Sequence, residues 1–308
     1  MSAETAEELV QLNDFHDIFS LKGKVAVVTG GSRGLGLRAA SGFIQAGCSK
    51  VYLIARSESS LDEAATALNA LKGPNIHPES RAIPIVGDVS SVTDLDRVVA
   101  EVSKTTDRVD ILLANAGATF IGQLEDYKES DFANVMNVNV NSVFFTIQKF
   151  TPLLEIGGTV ADPSRIIMVS SVAGVVIGDV GPHGRIAYAY AASKAAVVHL
   201  MQNLAVELGP RRIIVNAVAP GIFPSRMSGP LMARHGGIEG VSKQVPDRKL
   251  GAGEDIAGVM VFLASRASRH MNGATLMLDG GSFLAPATDS WIQTRVSSFV
   301  CLPSATYE

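Results

Sequence analysis

The chain has 308 residues, an apolar fraction of 47% and a formal net charge of −4. Such a composition fills a sizeable core and excludes a disordered chain. The slight acidity gives no general case for nucleic acid or for a membrane surface, and two cysteines, Cys48 and Cys301, exclude a disulfide framework.

The amino-terminal stretch is acidic (Glu4, Glu7, Glu8, Asp14, Asp17), with no Lys or Arg before Lys22. Secretory and mitochondrial leaders need early basic residues, so neither is expected. No uncharged apolar run reaches membrane-spanning length, and Thr306-Tyr307-Glu308 is no peroxisomal address. A soluble cytoplasmic protein without a membrane segment, a nucleic-acid partner or a metal is expected.

Residues 1–20 read as an arm, with a short amphipathic helix through Leu9, Val10, Leu12 and Phe15. From Lys24 the pattern alternates. Apolar runs read as buried parallel strands at Val25–Val28, Val51–Ala55, Ile83–Val86, Ile111–Ala114, Ile166–Val169, Ile213–Val218 and Thr275–Leu278. Helical spacings lie between them: Leu61, Ala65, Leu68 and Leu71; then Leu95, Val98, Val99 and Val102. Phe132, Val135, Met136, Val143, Ile147 and Phe150 predict one long helix, and Ala195, Val198, Met201, Leu204 and Leu208 another. Cys48 falls where a helix meets a strand, a place for a small buried hydrophobe. Repeated strand–helix alternation implies an α/β fold with a doubly wound parallel sheet. One Rossmann-like domain is expected over 21–284, with extensions at 1–20 and 285–308.

The stretch Thr29-Gly30-Gly31-Ser32-Arg33-Gly34-Leu35-Gly36 joins the first strand to the first helix. Glycine there lets the backbone approach a pyrophosphate where a Cβ would clash, and the following helix aims free N–H groups and its positive dipole end at the phosphates. Further along come Asp88-Val89, Asn115-Ala116-Gly117, Asn139, Ser171, Tyr190-x-x-x-Lys194 and Pro220-Gly221. In this order and spacing the set resembles the short-chain dehydrogenases/reductases, over about residues 21–284.

The resemblance implies a nicotinamide cofactor bound through Gly30, Ser32, Arg33, Gly34, Leu35 and Gly36. It assigns Asp88 and Val89 to the adenine, the first as acceptor and the second as apolar wall, although Asp88 also suits the turn entering a helix. Asn115, Ala116 and Gly117 shape the central sheet edge beside the cofactor, where a structural role and direct contact are equally open. Pro220, Gly221, Ile222 and Ser225 lie at the nicotinamide end, Ser225 being the hydroxyl nearest to the usual threonine. NAD-binding relatives hold the ribose diol with an acid at the end of the second strand. Here that strand ends Ala55-Arg56-Ser57. Arg56 and Arg33 suit a 2′-phosphate, so NADP(H) is expected.

Tyrosine is a weak acid, with a reference pKa near 10, and a neighbouring ammonium favours its anion. Four positions apart on a predicted helix, Tyr190 and Lys194 share one face. The resemblance makes Tyr190 the proton donor in ketone reduction and Lys194 the group that lowers its pKa and binds the nicotinamide ribose. Ser171 orients the carbonyl oxygen, and Asn139 holds a water linking Lys194 to solvent. The rivals match less well. Tyr188 has Ala192 four residues on, Ser170 does not immediately precede Val172-Ala173-Gly174, and Asn137 and Asn141 miss the pattern that Val138, Asn139, Ser142 and Phe144 fit.

Ser171 and Tyr190 stand 19 positions apart (190 − 171), more than the family usually has. The excess lies in Gly178–Arg185, whose Gly and Pro mark a loop, with His183 in it. After Gly221 the family carries a mobile substrate lid, to about Leu250. Phe223-Pro224-Ser225-Arg226-Met227 resembles the rhamnolipid-type branch of 3-oxoacyl-acyl-carrier-protein reductases. Ile222, Phe223, Met227, Leu231 and Met232 are expected to line an acyl channel. Arg211, Arg212, Arg226, Arg234, Lys243, Arg248 and Lys249, against Glu239 and Asp247, are expected to form a basic rim for an acidic carrier or a coenzyme A phosphate. The expected reaction is NADPH-dependent reduction of a ketone, on a small-molecule or carrier-bound carbonyl substrate, with a 3-oxoacyl thioester favoured. Alternatives are a free polyketide, steroid or polyol as substrate, or a catalytically idle NADP-binding module. A homotetramer or homodimer, packed through the helices holding Asn139 and Tyr190, is also implied by the resemblance. The tail from Thr288, with Trp291, Phe299 and Cys301, lies beyond the family core.

Overall fold

The computed structural model describes residues 6, 10, 12, 15–176 and 187–284. Most of the amino-terminal arm, the loop Gly178–Arg185 with His183, and the tail with Trp291, Phe299 and Cys301 lie outside the described residues. The seven strands among the described residues are all parallel: β1 (Val25–Thr29), β2 (Lys50–Ala55), β3 (Arg81–Val86), β4 (Ile111–Ala114), β5 (Ser164–Val169), β6 (Ile213–Pro220) and β7 (Thr275–Leu278). They lie in the order β3-β2-β1-β4-β5-β6-β7.

Both sheet faces are covered, which is why the central strands read as unbroken apolar runs. On one face Ala26, Val28, Val51, Leu53, Ile111 and Leu113 pack under α1 (Gly34–Gln45), α2 (Glu58–Asn69) and α9 (Gly253–Ala264), through Phe43, Leu61 and Met260. On the other, Val27, Tyr52, Ile54, Leu112 and Met168 meet α3 (Val92–Ser103), α5 (Ser142–Gly157) and α6 (Tyr188–Leu208), through Val98, Phe150 and Met201. Cys48, between α1 and β2, is fully buried, and burial pushes its thiol pKa up. Pro84 sits in β3, an edge strand, where a missing N–H is tolerated. No helix among the described residues is long and apolar enough to cross a membrane.

One predicted element is divided. In place of a single helix through Phe132 and Phe150, α4 (Glu129–Met136) runs into a π-helical turn, Asn137–Asn141, before α5 begins. Apolar spacing cannot register such a turn, because the stripe on either side stays close to helical period. Two short helices, α7 (Gly229–Arg234) and α8 (Gly237–Ser242), form the segment between β6 and α9.

Candidate active site

Each residue singled out by motif stands at or just beyond the carboxyl ends of the strands or on the helices beside them. At the end of β1 the Thr29 hydroxyl accepts from the Asn115 and Ala116 N–H groups, at 3.0 and 3.1 Å. The Asn115 amide donates back to the Thr29 and Gly30 carbonyls, at 2.9 and 3.2 Å. Asn115 is therefore a strut between the glycine turn and the end of β4. A Cβ on Gly36 would stand 2.4 Å from the Gly30 carbonyl oxygen and 2.6 Å from Asn115 Nδ2, so only glycine lets these chains meet. Gly34 differs: its φ is +57° and a Cβ there would meet nothing within 4 Å. Helix α1 starts at that open space with no side-chain cap from Arg33. Free N–H groups and open space are what a pyrophosphate needs.

The Gly30 and Gly31 N–H groups donate to the Ile54 carbonyl, at 2.8 and 3.4 Å, which brings the glycine turn beside the end of β2. Arg33 and Arg56 are both exposed there, and neither guanidinium is paired among the described residues. Two uncompensated cations at the mouth fit a further phosphate on the nucleotide. Asp88 folds back on its own turn: its carboxylate accepts from the Ser90 N–H and hydroxyl, at 3.0 and 2.6 Å. Val89 is 8% exposed and belongs to the core face.

Around Tyr190 the packing is tighter. Ser171, just past the end of β5, accepts from the Ala173 N–H at 3.2 Å, and its hydroxyl acts on the Tyr190 phenol. Lys194, one helical turn beyond Tyr190, is 4% exposed, and its Nζ donates to the Val169 carbonyl at 2.8 Å. That Nζ lies 5.6 Å from the centre of the Tyr190 ring. The neighbouring Ser170 points elsewhere, donating to the Lys194 carbonyl at 2.8 Å and fastening β5 to α6. A Cβ on Gly174 would stand 2.5 Å from the Lys194 carbonyl carbon, so the turn after Ser171 lies directly on the helix.

The electrostatics depart from a simple ammonium–phenol pair. Burial pushes Tyr190 above the usual phenol range, partly offset by the Ser171 hydroxyl. Burial also brings Lys194 down from 10.5 to about 8. With its Nζ turned to the Val169 carbonyl, desolvation outweighs attraction at the phenol.

Asn139 is fully buried in the π-helical turn. Its Oδ1 accepts from the Ala118 N–H at 2.7 Å, and its Nδ2 donates to the Ala118 carbonyl at 2.9 Å and the Ser193 hydroxyl at 2.8 Å. Ser193 in turn donates to the Tyr190 carbonyl at 2.7 Å. Both amide hydrogens of Asn139 are thus engaged by protein. Ser193 and Ala118 were not legible as site residues: a serine inside a helix and an alanine after a glycine carry no motif of their own.

Pro220 and Gly221 close β6 against β7, the Gly221 N–H donating to the Leu278 carbonyl at 3.0 Å. Ser225 forms a local turn with Ser228, their hydroxyls 3.0 Å apart. Two expectations for the following segment are corrected. Phe223 is 6% exposed and packs into the sheet core, so it anchors the segment and does not line a channel. Arg211 and Arg212 sit before β6, at the opposite edge of the sheet, where Arg211 pairs with Glu155 at 2.6 Å. Lys243 pairs with Glu239 at 2.7 Å and Lys249 lies 4.0 Å from Asp247. The Arg248 guanidinium donates to the Lys243 carbonyl. Arg226 and Arg234 remain as exposed cations without a partner among the described residues.

Comparison with known proteins agrees with this arrangement. Residues 24–235 match the family model described as short chain dehydrogenase. The rhamnolipids biosynthesis 3-oxoacyl-[acyl-carrier-protein] reductase of Pseudomonas aeruginosa is 38% identical over 87% of this chain and 100% of its own length. The short-chain dehydrogenase/reductase PhomF of Diaporthe leptostromiformis is 36% identical over 86% of this chain and 93% of its own. Among solved structures, the Pseudomonas aeruginosa RhlG/NADP active-site complex superposes with a TM-score of 0.79, at 37% identity, over 87% of this chain and 100% of that one.

Proposed function

The chain belongs to the short-chain dehydrogenase/reductase family, and from that premise we propose that it reduces a ketone to a secondary alcohol with NADPH, with Tyr190 as general acid and a 3-oxoacyl thioester as substrate. The observation that carries the reading is the convergence of Tyr190, Ser171 and Lys194 where β5 meets α6, with the uncapped glycine turn on the same sheet edge.

NADPH, when bound, supplies the hydride. Gly34 and the start of α1 hold its pyrophosphate, and Arg33 and Arg56 its 2′-phosphate, by charge-assisted hydrogen bonds. Ser171 donates to the substrate carbonyl oxygen and fixes it beside Tyr190. Tyr190 carries its proton at physiological pH, since burial raises its pKa, and delivers it to the developing alkoxide. Lys194 turns from the Val169 carbonyl toward the ribose and the phenol, and its positive charge stabilises the tyrosinate left behind. The side chain of Asn139 is occupied by Ala118 and Ser193, so its part falls to the backbone: a π-helical turn releases carbonyls from the regular ladder, and these hold the water linking Lys194 to solvent.

The 3-oxoacyl choice is supported by the Pseudomonas relative's name and by the unpaired Arg226 and Arg234. Self-association as a homodimer or homotetramer through α4–α6 is part of the reading, supported by exposed Phe144 on α5 and Val206 on α6. NADPH consumption measured across 3-oxoacyl thioesters, free ketones and polyols tests the substrate class. Turnover retained by Tyr190→Phe would overturn the assignment of the acid. Light scattering that shows only monomer would remove the assembly.

A further inference from the structure

Tyr190 enters the site on the first turn of α6, and that turn has no cap of its own. Ala187 stands at the N-cap position and offers no side-chain acceptor. The Ala189 N–H donates instead to the phenolic oxygen of Tyr127, 3.4 Å away and 62 positions upstream. The same hydroxyl donates to the Phe120 carbonyl at 3.3 Å. Burial pushes the Tyr127 phenol pKa up, so it keeps the proton that this second bond needs.

The ring is held as firmly. It meets Phe120 edge to face at 5.1 Å and 87°, Tyr188 at 5.6 Å and 81°, and Phe132 at 6.3 Å and 71°. Phe120 belongs to the loop that leaves β4, and two residues earlier the same loop holds Asn139 through both backbone groups of Ala118. Phe132 belongs to α4, and Tyr188 opens α6. One side chain therefore joins the β4–α4 loop to the turn that presents Tyr190. Each bond alone is long, but a ring packed on three sides cannot drift from either partner.

We propose that Tyr127 is a positioning residue for Tyr190, its hydroxyl serving as the distant cap of α6 and its ring setting where the first turn of that helix stands. The proposal rests on the reading of Tyr190 as general acid.

The experiment compares the parent with Tyr127→Phe, Tyr127→Leu and Tyr190→Phe. Steady-state rates are taken with NADPH and acetoacetyl-coenzyme A, the thioester used as probe. The Tyr190 phenol is titrated by NMR with tyrosine labelled at Cζ, in the complex with NADP+. The chain has 5 tyrosines, so Tyr190→Phe assigns the signal. Tyr127→Phe keeps the ring and removes one hydroxyl. It is expected to lower kcat by about 2- to 10-fold, as loss of the hydrogen bond to the Ala189 N–H allows, with KM for NADPH and the melting temperature near parent values. The Tyr190 titration shifts with it, and Tyr127→Leu loses more. Parent kcat and an unmoved titration in Tyr127→Phe, with Tyr190→Phe inactive, would overturn the proposal while leaving the acid in place. A joint collapse of kcat, KM and melting in Tyr127→Phe would make the residue a general support and also overturn it. Turnover in Tyr190→Phe is the separate result that removes the acid reading, and the positioning role with it.

Discussion

The Lys194 ammonium donates to the Val169 carbonyl at 2.8 Å, one helical turn from Tyr190, with only 4% of the lysine exposed. Its folded pKa, about 8, lies below the ordinary 10.5. Above 10.5 the amine is neutral folded or unfolded, and burial carries no charge penalty. Between 10.5 and 8 the unfolded chain binds more protons, so stability falls as pH falls; below 8 the full penalty, on the order of 3 kcal/mol, is present. In Lys194→Met this slope disappears. Thermal unfolding at pH 7, 8.5 and 10 checks it: the stability of the parent relative to the variant rises across that range. Parallel curves would contradict the buried ammonium.

Ser193 links Asn139 to Tyr190, accepting from the amide at 2.8 Å and donating to the carbonyl at 2.7 Å. Ser193→Ala leaves a fully buried amide hydrogen unpaired, a loss of about 1–3 kcal/mol. Chemical denaturation should report that loss with an unchanged m-value. An unaltered midpoint would mean that Asn139 finds another acceptor.

Arg56 is exposed and without an ion pair among the described residues, so its charge is free for a ligand. Arg56→Asp removes a cation and adds the acid that a ribose diol prefers. A charge-assisted hydrogen bond contributes about 1.5–3 kcal/mol, so NADPH affinity is expected to fall about 10- to 100-fold, with NADH gaining. Fluorescence titration with both nucleotides checks it; an unchanged preference would remove Arg56 from the phosphate site.

Sequence made the parallel sheet legible because strands buried on both faces leave unbroken apolar runs: Ile111–Ala114, buried throughout, has the bounds that spacing predicts, and the half-buried edge strand Thr275–Leu278 keeps its predicted bounds too. The constellation was legible because Tyr190 and Lys194 need only a helix to share a face. What escaped was set by tertiary contact. The π-helical turn at Asn139 keeps the apolar stripe nearly in phase. Ser193 and Tyr127 act through partners 54 and 62 positions away, which no local pattern encodes. The basic rim is smaller than residue order implies, because chain order does not say which edge of the sheet a residue reaches: Arg211 precedes β6 and Arg226 follows it.

Of seven basic residues between 211 and 250, only Arg226 and Arg234 are both beyond the carboxyl end of β6 and unpaired among the described residues. Arg234 ends α7 and Arg226 lies just before it. Exposed cations of this kind act on encounter more than on bound-state affinity. If they meet a coenzyme A phosphate or an acidic carrier, kcat/KM for a 3-oxoacyl thioester falls as salt rises and the screening length contracts from about 10 Å at 0.1 M to about 3 Å at 1 M. The double reversal Arg226→Glu with Arg234→Glu is then expected to lower kcat/KM on the thioester about tenfold at low salt, within the range of steering effects, and to flatten the salt dependence. An uncharged ketone serves as control, because it is not steered and its rate stays at the parent value in both respects. Equal losses on thioester and ketone would point to a disturbed α7, not to charge. A thioester rate that is flat in salt and untouched by the reversals would leave the acidic partner without support, with the chemistry at Tyr190 unaffected.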